Sequence, residues 1–154
     1  MATPITSLPE LQRALAANQP QTLVLQTALV SPHPLVLPPG YALTGADPNR
    51  SSLSFSYGDG LGLTANNQVT NLTVRTAPPH RAIYTLAGVA DSSTLTLQNL
   101  TVMGQVALLL HPGTQQLRVE ADWVDVVACD ARAYHERPQK YGVSVLSGAF
   151  TVTT

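Results

Sequence analysis

The order of apolar and polar positions changes once along the chain, near residue 20. Before that point three leucines recur at the three- and four-residue spacing of one helix face. Ser7 precedes them, and together with Glu10 it forms the Ser-x-x-Glu pattern of a capping box. We therefore predict one amphipathic helix over residues 8–17, whose apolar side covers the open end of the structure that follows. That side consists of Leu8, Leu11 and Leu15.

After residue 20 the helical spacing disappears. Apolar runs of three to five residues, rich in valine, leucine and threonine, continue to the last residues. Clusters of glycine, proline, asparagine and aspartate separate these runs. This pattern predicts many short strands over residues 22–154.

A repeat is the strongest feature of this strand region. The segments Val69–Val74 and Leu97–Val102 both read apolar, polar, Asn, Leu, Thr, Val, and they start 28 residues apart. A degraded third copy begins at Val119, with a step of 24 residues from Leu100 to Val124. Repeats of about 20 to 50 residues indicate solenoids, propellers or arrays, and a propeller blade needs about 40. Because each repeat here is shorter and holds three short strands without a helix, it predicts an all-β solenoid, the parallel β-helix.

Two asparagines, Asn71 and Asn99, occupy the same place in the two clearest repeats, between short strands. Asparagine tolerates the left-handed backbone that a sharp bend needs, and its amide can bond to an amide stacked above it. We expect these side chains to form a buried, amide-bonded ladder. The third copy has Ala121 or Asp122 at this place, which breaks the series.

Four passages carry a family resemblance. They are SLPELQRALAANQPQTLVLQ, LVLPPGYALTGA, VTNLTV and LQNLTV. Together they resemble the pectin lyase-like right-handed parallel β-helix superfamily. The resemblance implies a helix that plugs the N-terminal end of the stack, and an asparagine ladder at Asn71 and Asn99. It also favours a secreted or cell-surface location, which nothing else in the sequence addresses.

The C-terminal residues read as an unfinished coil of this solenoid. A fifth coil begins at Tyr141–Leu146 and continues into Phe150–Thr153, without a second capping helix. We therefore expect residues 1–154 to be one β-helix domain that forms the N-terminal part of a longer protein, or else two copies that abut at this end. A third possibility is that the 128–140 insertion folds back as a cap. A symmetric interface would bury Val143, Val145, Phe150 and Val152.

The amino-acid composition argues against several classes of binding partner. Charged residues make up 11% of the chain, against roughly 25% in ordinary soluble domains, and the formal net charge is −1. Without a basic run, the chain lacks the electrostatic footprint of a nucleic-acid or anionic-membrane binder. No run reaches the roughly 18 apolar residues of a membrane span. Cys129 is the only cysteine, which excludes an intrachain disulfide and a Cys-x-x-Cys zinc site. We predict no metal and no cofactor.

Two sets of residues are candidates for chemistry. Asp122 precedes the predicted strand Trp123–Val127, and Asp125 lies within it between two valines, facing outward. Paired carboxylates on one sheet serve acid–base catalysis in β-helix hydrolases. A solvated strand face is the favoured explanation of both, because exposed charge is ordinary. The insertion between coils four and five is the densest polar stretch, and its aromatic and basic side chains could stack on sugar rings and bond hydroxyls or carboxylates. Its candidate ligand contacts are Arg132, Tyr134, His135, Arg137 and Tyr141. It could equally be a surface flap or a lateral contact to another domain.

The sequence shows no catalytic set, and three hypotheses remain open. The first is a non-catalytic N-terminal β-helix segment of a larger carbohydrate-associated or surface protein, with polysaccharide as its partner. The second is the front portion of a polysaccharide lyase or glycoside hydrolase whose catalytic coils lie beyond this chain. The third is a structural β-helix that associates with itself.

Overall fold

A computed structural model describes residues 2–86, 92–108, 116–129 and the final strand at 151–152. Within these residues the chain forms one α-helix, α1 (Leu8–Ala16), and thirteen strands. The strands are β1 (Ala2–Ile5), β2 (Thr22–Leu25), β3 (Ala28–Ser31), β4 (Leu35–Leu37), β5 (Ala42–Gly45), β6 (Ser52–Phe55), β7 (Leu61–Leu63), β8 (Gln68–Arg75), β9 (Arg81–Thr85), β10 (Ser92–Met103), β11 (Gln105–Ala107), β12 (Gln116–Ala128) and β13 (Thr151–Val152). In the part of the chain described, no helix is both long enough and apolar enough to span a membrane.

Successive turns of chain lie on one another in parallel, and about five turns form a β-solenoid. One column of inward-facing residues shows the stacking, because each of its members pairs with the next at the same height. It runs through Leu23, Leu43, Val69, Leu97 and Ala121. The predicted all-β parallel solenoid with a short N-terminal helix is therefore confirmed.

The strands of the solenoid form two sheets. A nine-stranded sheet contains β2, β5, β8, β10 and β12 in spatial order, with β3 and β6 paired to one another beside them. A four-stranded sheet has the order β11-β9-β7-β4. In the nine-stranded sheet buried positions alternate with more exposed ones along most strands, as expected for strands with one inner face. In the four-stranded sheet consecutive residues of β7, β9 and β11 are buried. Leucine and valine supply much of the interior.

The predicted repeat fixes the register correctly at its central position. Leu72 pairs with Leu100, and Leu100 pairs with Val124, so the steps of 28 and 24 residues are those of the structure. The predicted place of the third bend is wrong by one or two residues. Gln98 pairs with Asp122, so Trp123, not Ala121 or Asp122, stands where Asn99 stands one turn earlier. A slip of two residues keeps every side chain on its own face, so alternation alone could not decide the register.

The N-terminal end is closed by α1 and by β1, a strand that the sequence analysis did not predict. The Ser7 hydroxyl accepts a hydrogen bond from the Glu10 backbone N–H at 3.3 Å, and the Glu10 carboxylate accepts one from the Thr6 backbone N–H. Leu11 is fully buried, and the other two leucines of the predicted apolar side pack partly buried against the core. The expected capping helix is therefore confirmed, ending at residue 16 instead of 17.

The C-terminal strand differs from its prediction. A strand was expected at Phe150–Thr153 as part of a fifth parallel coil, but β13 runs antiparallel to β12, with Val124 opposite Val152 and Asp125 opposite Thr151. The alternating pattern of a strand is the same in both directions, so the sequence does not encode this choice. The predicted strand Tyr141–Leu146 lies outside the described residues.

Candidate functional site

The long strands β8, β10 and β12 each bend once, and the side chains around the three bends form one outer surface, which we call the bend face. Before the bend it presents Thr70, Gln98 and Asp122; at the bend Asn71, Asn99 and Trp123; after the bend Thr73, Thr101 and Asp125. Buried aliphatic residues alternate with these positions on the inner side. The bend face is therefore a polar sheet surface stacked at the strand spacing of about 4.8 Å.

The bend itself needs residues that accept a left-handed backbone. The φ angles are 57° at Asn71, 52° at Asn99 and 59° at Trp123. One turn before Asn71 the chain has Gly45, where an added Cβ would lie 1.9 Å from the Asn71 carbonyl oxygen. Glycine at that position therefore permits the close approach of the first bend to the turn beneath it.

The structure brings the two ladder asparagines together. The Asn99 side-chain amide donates a hydrogen bond to the Asn71 side-chain oxygen at 3.0 Å. The expected burial is wrong, because Asn99 is exposed and Asn71 only partly buried. Leu97 and Leu100 fill the interior on either side of the bend, and the amides lie on its outer side.

Trp123 is the unusual member of this surface. Its side chain is 56% exposed, although tryptophan is normally one of the more buried residue types. A bulky residue at positive φ is a genuine outlier, and the left-handed conformation costs roughly 1–2 kcal/mol. The indole also lacks the amide acceptor that would continue the asparagine ladder. Strain of this kind concentrates at functional sites, which makes Trp123 the leading candidate on this face.

The strand that contains Trp123 also carries several charged side chains. The Arg118 guanidinium lies 3.1 Å from the Glu120 carboxylate, and both side chains are exposed. Asp122 and Asp125 lie on opposite sides of the bend, in register with Gln98 and Thr101. The two candidate acids therefore stand in different rows of the bend face. An open groove of about 580 Å³ borders Asp122 but not Asp125, and it is lined by Thr96, Leu97, Gln98, Arg118, Val119, Glu120, Ala121 and Asp122.

Hydroxyl groups continue the polar surface toward the earlier turns. The Thr70 hydroxyl donates a hydrogen bond to the Thr44 hydroxyl at 2.8 Å, one turn below. Thr44, Thr70, Gln98 and Asp122 form a continuous row that crosses four turns. Such a row offers donors and acceptors at regular intervals along the solenoid axis.

The candidate contacts of the polar insertion lie outside the described residues. These are Arg132, Tyr134, His135, Arg137 and Tyr141, so the structure does not relate them to the bend face. Among the residues that the structure describes, no group of three or more histidine, cysteine, aspartate or glutamate side chains is arranged to hold a metal ion.

A second polar cluster, which sequence reasoning did not select, joins two turns of the four-stranded sheet. Asp59 accepts hydrogen bonds from the Arg81 guanidinium at 2.6 and 3.1 Å, and from the Arg81 backbone N–H at 2.8 Å. The guanidinium carbon lies 4.6 Å from the centre of the Tyr84 ring, and burial raises the pKa of that phenol. The partners are 22 residues apart, so only the register of stacked turns reveals the pair. The cluster fastens one turn to the next.

Comparisons of the chain with family models, with curated proteins and with solved structures found no match. What the protein does is therefore inferred from the fold and from the residues of the bend face.

Proposed function

We propose that this chain is a non-catalytic segment of a carbohydrate-associated or surface protein, and that its bend face binds polysaccharide. Trp123 is the observation that carries the proposal. An exposed indole offers a flat apolar surface with one polar edge, a combination suited to stacking on a sugar ring. A tryptophan held at positive φ on a solvent-facing bend gives the fold nothing that asparagine would not supply better, so a role outside folding accounts for its presence.

The surroundings of Trp123 support the same proposal. Gln98 and Asp122 supply an amide and a carboxylate before the bend, and Thr101 and Asp125 supply a hydroxyl and a carboxylate after it. Sugar hydroxyls donate and accept hydrogen bonds, which these groups match in both directions. Because the polar rows run along the solenoid axis, an extended polymer would meet equivalent partners on successive turns.

We also propose the finer assignment of the fold, a right-handed parallel β-helix of the pectin lyase-like superfamily. Three features support it. Parallel turns stack around a leucine-rich core, α1 lies at the N-terminal end, and Asn71 and Asn99 pair at a sharp bend. Under this assignment, a longer parent chain with lyase or hydrolase coils is the alternative function, with Asp122 and Asp125 as its acid candidates.

The chain contains its own probe for the proposed site. Trp123 is the only tryptophan, so its fluorescence reports on the bend face alone. We expect saturable quenching and a blue shift when one of a panel of soluble neutral or acidic polysaccharides is titrated into the protein. Reducing-end and unsaturated-product assays on the same mixtures test the enzymatic alternative. A spectrum that no polysaccharide changes would contradict the proposal.

A binding comparison between two aromatic residues sharpens this experiment. Tyr57 is 74% exposed and lies in the turn that follows β6, away from the bend face. We expect Tyr57→Ser to bind as the unaltered chain does, whereas Trp123→Ala weakens binding about tenfold or more, as loss of one stacked ring implies. Equal affinities for both variants would exclude Trp123 as a contact.

A further inference from the structure

The second turn of the solenoid, which contains β5 and β6, carries an insertion at the bend. In the first turn residues 26–27 connect β2 to β3, whereas in the second turn residues 46–51 connect β5 to β6. Both pairs of strands nevertheless stay in register with one another. In the third turn the continuous strand β8 bends at Asn71 alone. We call residues 46–51 the bend loop.

The bend loop projects from the bend face. Both strands that it joins are paired with the turns on either side, so the inserted residues have no room within the sheet. The inner side is filled by the buried side chains of Leu43 and Leu53, so the insertion leaves the sheet outward. Residues 46 and 48–50 are accordingly exposed. The loop therefore stands above the outer surface of its neighbouring turns.

Hydrogen bonds hold the bend loop in one conformation. The Asp47 carboxylate accepts from the Asn49 backbone N–H at 2.9 Å, and the Asp47 carbonyl accepts from the Ser51 N–H at 2.7 Å. The buried Ser51 hydroxyl donates to the Leu25 carbonyl at 2.7 Å. The Ser51 carbonyl accepts from the Thr73 backbone N–H at 3.1 Å. The loop is therefore a fixed projection that is bonded to the turns on both sides of it.

We infer that the bend face binds the end of a polysaccharide chain, and that the bend loop is the stop against which this end lies. The inference rests on the proposed function. A polymer that stacks on Trp123 and follows the bend positions toward earlier turns passes Asn99 and then Asn71, and the bend loop stands one turn further on. Because turns lie about 4.8 Å apart, close to the length of one sugar unit, this row accommodates about three sugars. An interior segment of a long polymer cannot continue along the row past the loop.

The bend loop also carries groups that suit a chain end. A terminal sugar has a hydroxyl group where an internal sugar has its glycosidic bond. The Arg50 side chain is 84% exposed, and its guanidinium offers several N–H donors to such a group. The exposed Asn49 side chain can both donate and accept. A site that hydrogen-bonds a hydroxyl discriminates against a sugar that lacks it, so these residues favour the end over the interior.

A series of polymer lengths tests the inference on the unaltered chain. Hydroxyethyl cellulose, xylan and polygalacturonate serve as probes, each intact and partly hydrolysed, and Trp123 fluorescence is the readout. Hydrolysis to one-tenth of the mean length gives about ten times as many ends per gram, so half-saturation should then need about one-tenth of the polymer mass. If half-saturation depends on polymer mass alone, binding is internal and the inference is wrong, whereas the proposed function stands. A spectrum that none of the probes changes would contradict the proposed function itself.

A shortened loop tests the cause of the end preference. In this variant Gln-Thr, the pair that connects β2 to β3, replaces residues 46–51. Interior segments should then bind as well, so half-saturation should depend on polymer mass alone. Arg50→Ala keeps the loop and is the matched control; it should bind more weakly but retain the dependence on chain ends. A shortened loop that retains this dependence would overturn the role of the bend loop. Circular dichroism verifies that each variant keeps the solenoid, and if the shortened chain does not fold, the length series on the unaltered chain decides.

Discussion

The two ends of this solenoid are closed in different ways. At the N-terminal end, α1 packs beside β1 and β3, and β1 adds a strand below β2. Leu23 and Leu25 in the first turn are accordingly inaccessible to solvent. At the C-terminal end, Val124 and Val126 are buried, but Val119 on the same strand is not. Within the described residues, elements of the fold cover the first turn completely, whereas the last turn is covered only in part.

The edge strands differ in the same sense. Pro4 lies within β1, and a proline on an edge removes a backbone donor that another strand would need. The stretch of β12 from residue 116 to residue 121 has no proline and alternates apolar with charged residues. Sequence at one end discourages pairing, and sequence at the other permits it.

The largest difference should appear on truncation of the two ends. Removing residues 1–18 deletes α1 and β1, exposes the first turn and should cause aggregation, because Leu11 and the Tyr41–Ala14 hydrogen bond are lost with them. Removing residues 150–154 deletes β13, which pairs with Val124 and Asp125, and should leave a folded chain of lower stability. Light scattering and thermal melts of both truncations measure the effect. If both truncated chains aggregated and melted alike, the two ends would contribute equally to stability and solubility.

Single substitutions should reproduce this contrast on a smaller scale. Leu11→Ala removes a fully buried side chain and should lower the free energy of unfolding by about 2–4 kcal/mol. Val119→Ala at the open end should cost less than about 1 kcal/mol, since the side chain is only partly covered. Urea denaturation of both variants provides the comparison. A greater loss at Val119 would contradict the difference between the ends.

Substitutions at two bends that lie two turns apart should change stability in opposite directions. Asn71→Ala loses the amide that accepts from Asn99 and places alanine at positive φ, so it should destabilise by about 1–3 kcal/mol. Trp123→Asn suits the left-handed backbone and offers a further amide above Asn99, so it should stabilise by about 1 kcal/mol. The melting temperatures of both variants, compared with that of the unaltered chain, test these two predictions. A destabilised Trp123→Asn would indicate that the indole is needed for packing.

The smallest expected effect is a pH dependence at the helix cap. A hydrogen bond from the Thr6 side chain, with further help from Ser7, lowers the pKa of Glu10 below its ordinary value of 4.5. A carboxylate with a depressed folded-state pKa stabilises the fold above its unfolded value, and this contribution is lost as the pH falls through the lowered pKa. We expect the melting temperature of the unaltered chain to fall slightly further below pH 4.5 than that of Glu10→Gln. Parallel pH profiles of the two proteins would contradict a role for this carboxylate.

The parts of this structure that follow local chemistry or repetition could be predicted from the sequence. Ser7 and Glu10 mark the helix start because a cap depends on residues three positions apart. Leu72 and Leu100 reveal the stacking because equivalent turns bury equivalent residues. The first feature depends on residues within one turn of helix. The second depends on a sequence motif that occurs in two successive turns of the solenoid.

Other features depend on which turn lies beside which, and the sequence does not specify this. Trp123 does not resemble Asn99, so its place at the bend emerges only from the register of β12. The direction of β13 is hidden because both strand directions share one alternating pattern. Asp59 and Arg81 pair across a full turn, a distance over which no motif operates. Trp123 was therefore missed as a site residue, although its neighbours Asp122 and Asp125 were predicted as candidates.

The binding of polysaccharide by two forms of the bend face tests the central claim most directly. Affinity electrophoresis of the unaltered chain and of Trp123→Asn, in gels containing the polysaccharide selected by fluorescence, measures both affinities without using the tryptophan signal. We predict that the unaltered chain is retarded and that Trp123→Asn, although at least as stable, is not. Equal retardation of the two proteins would contradict the assignment of the bend face as the binding surface.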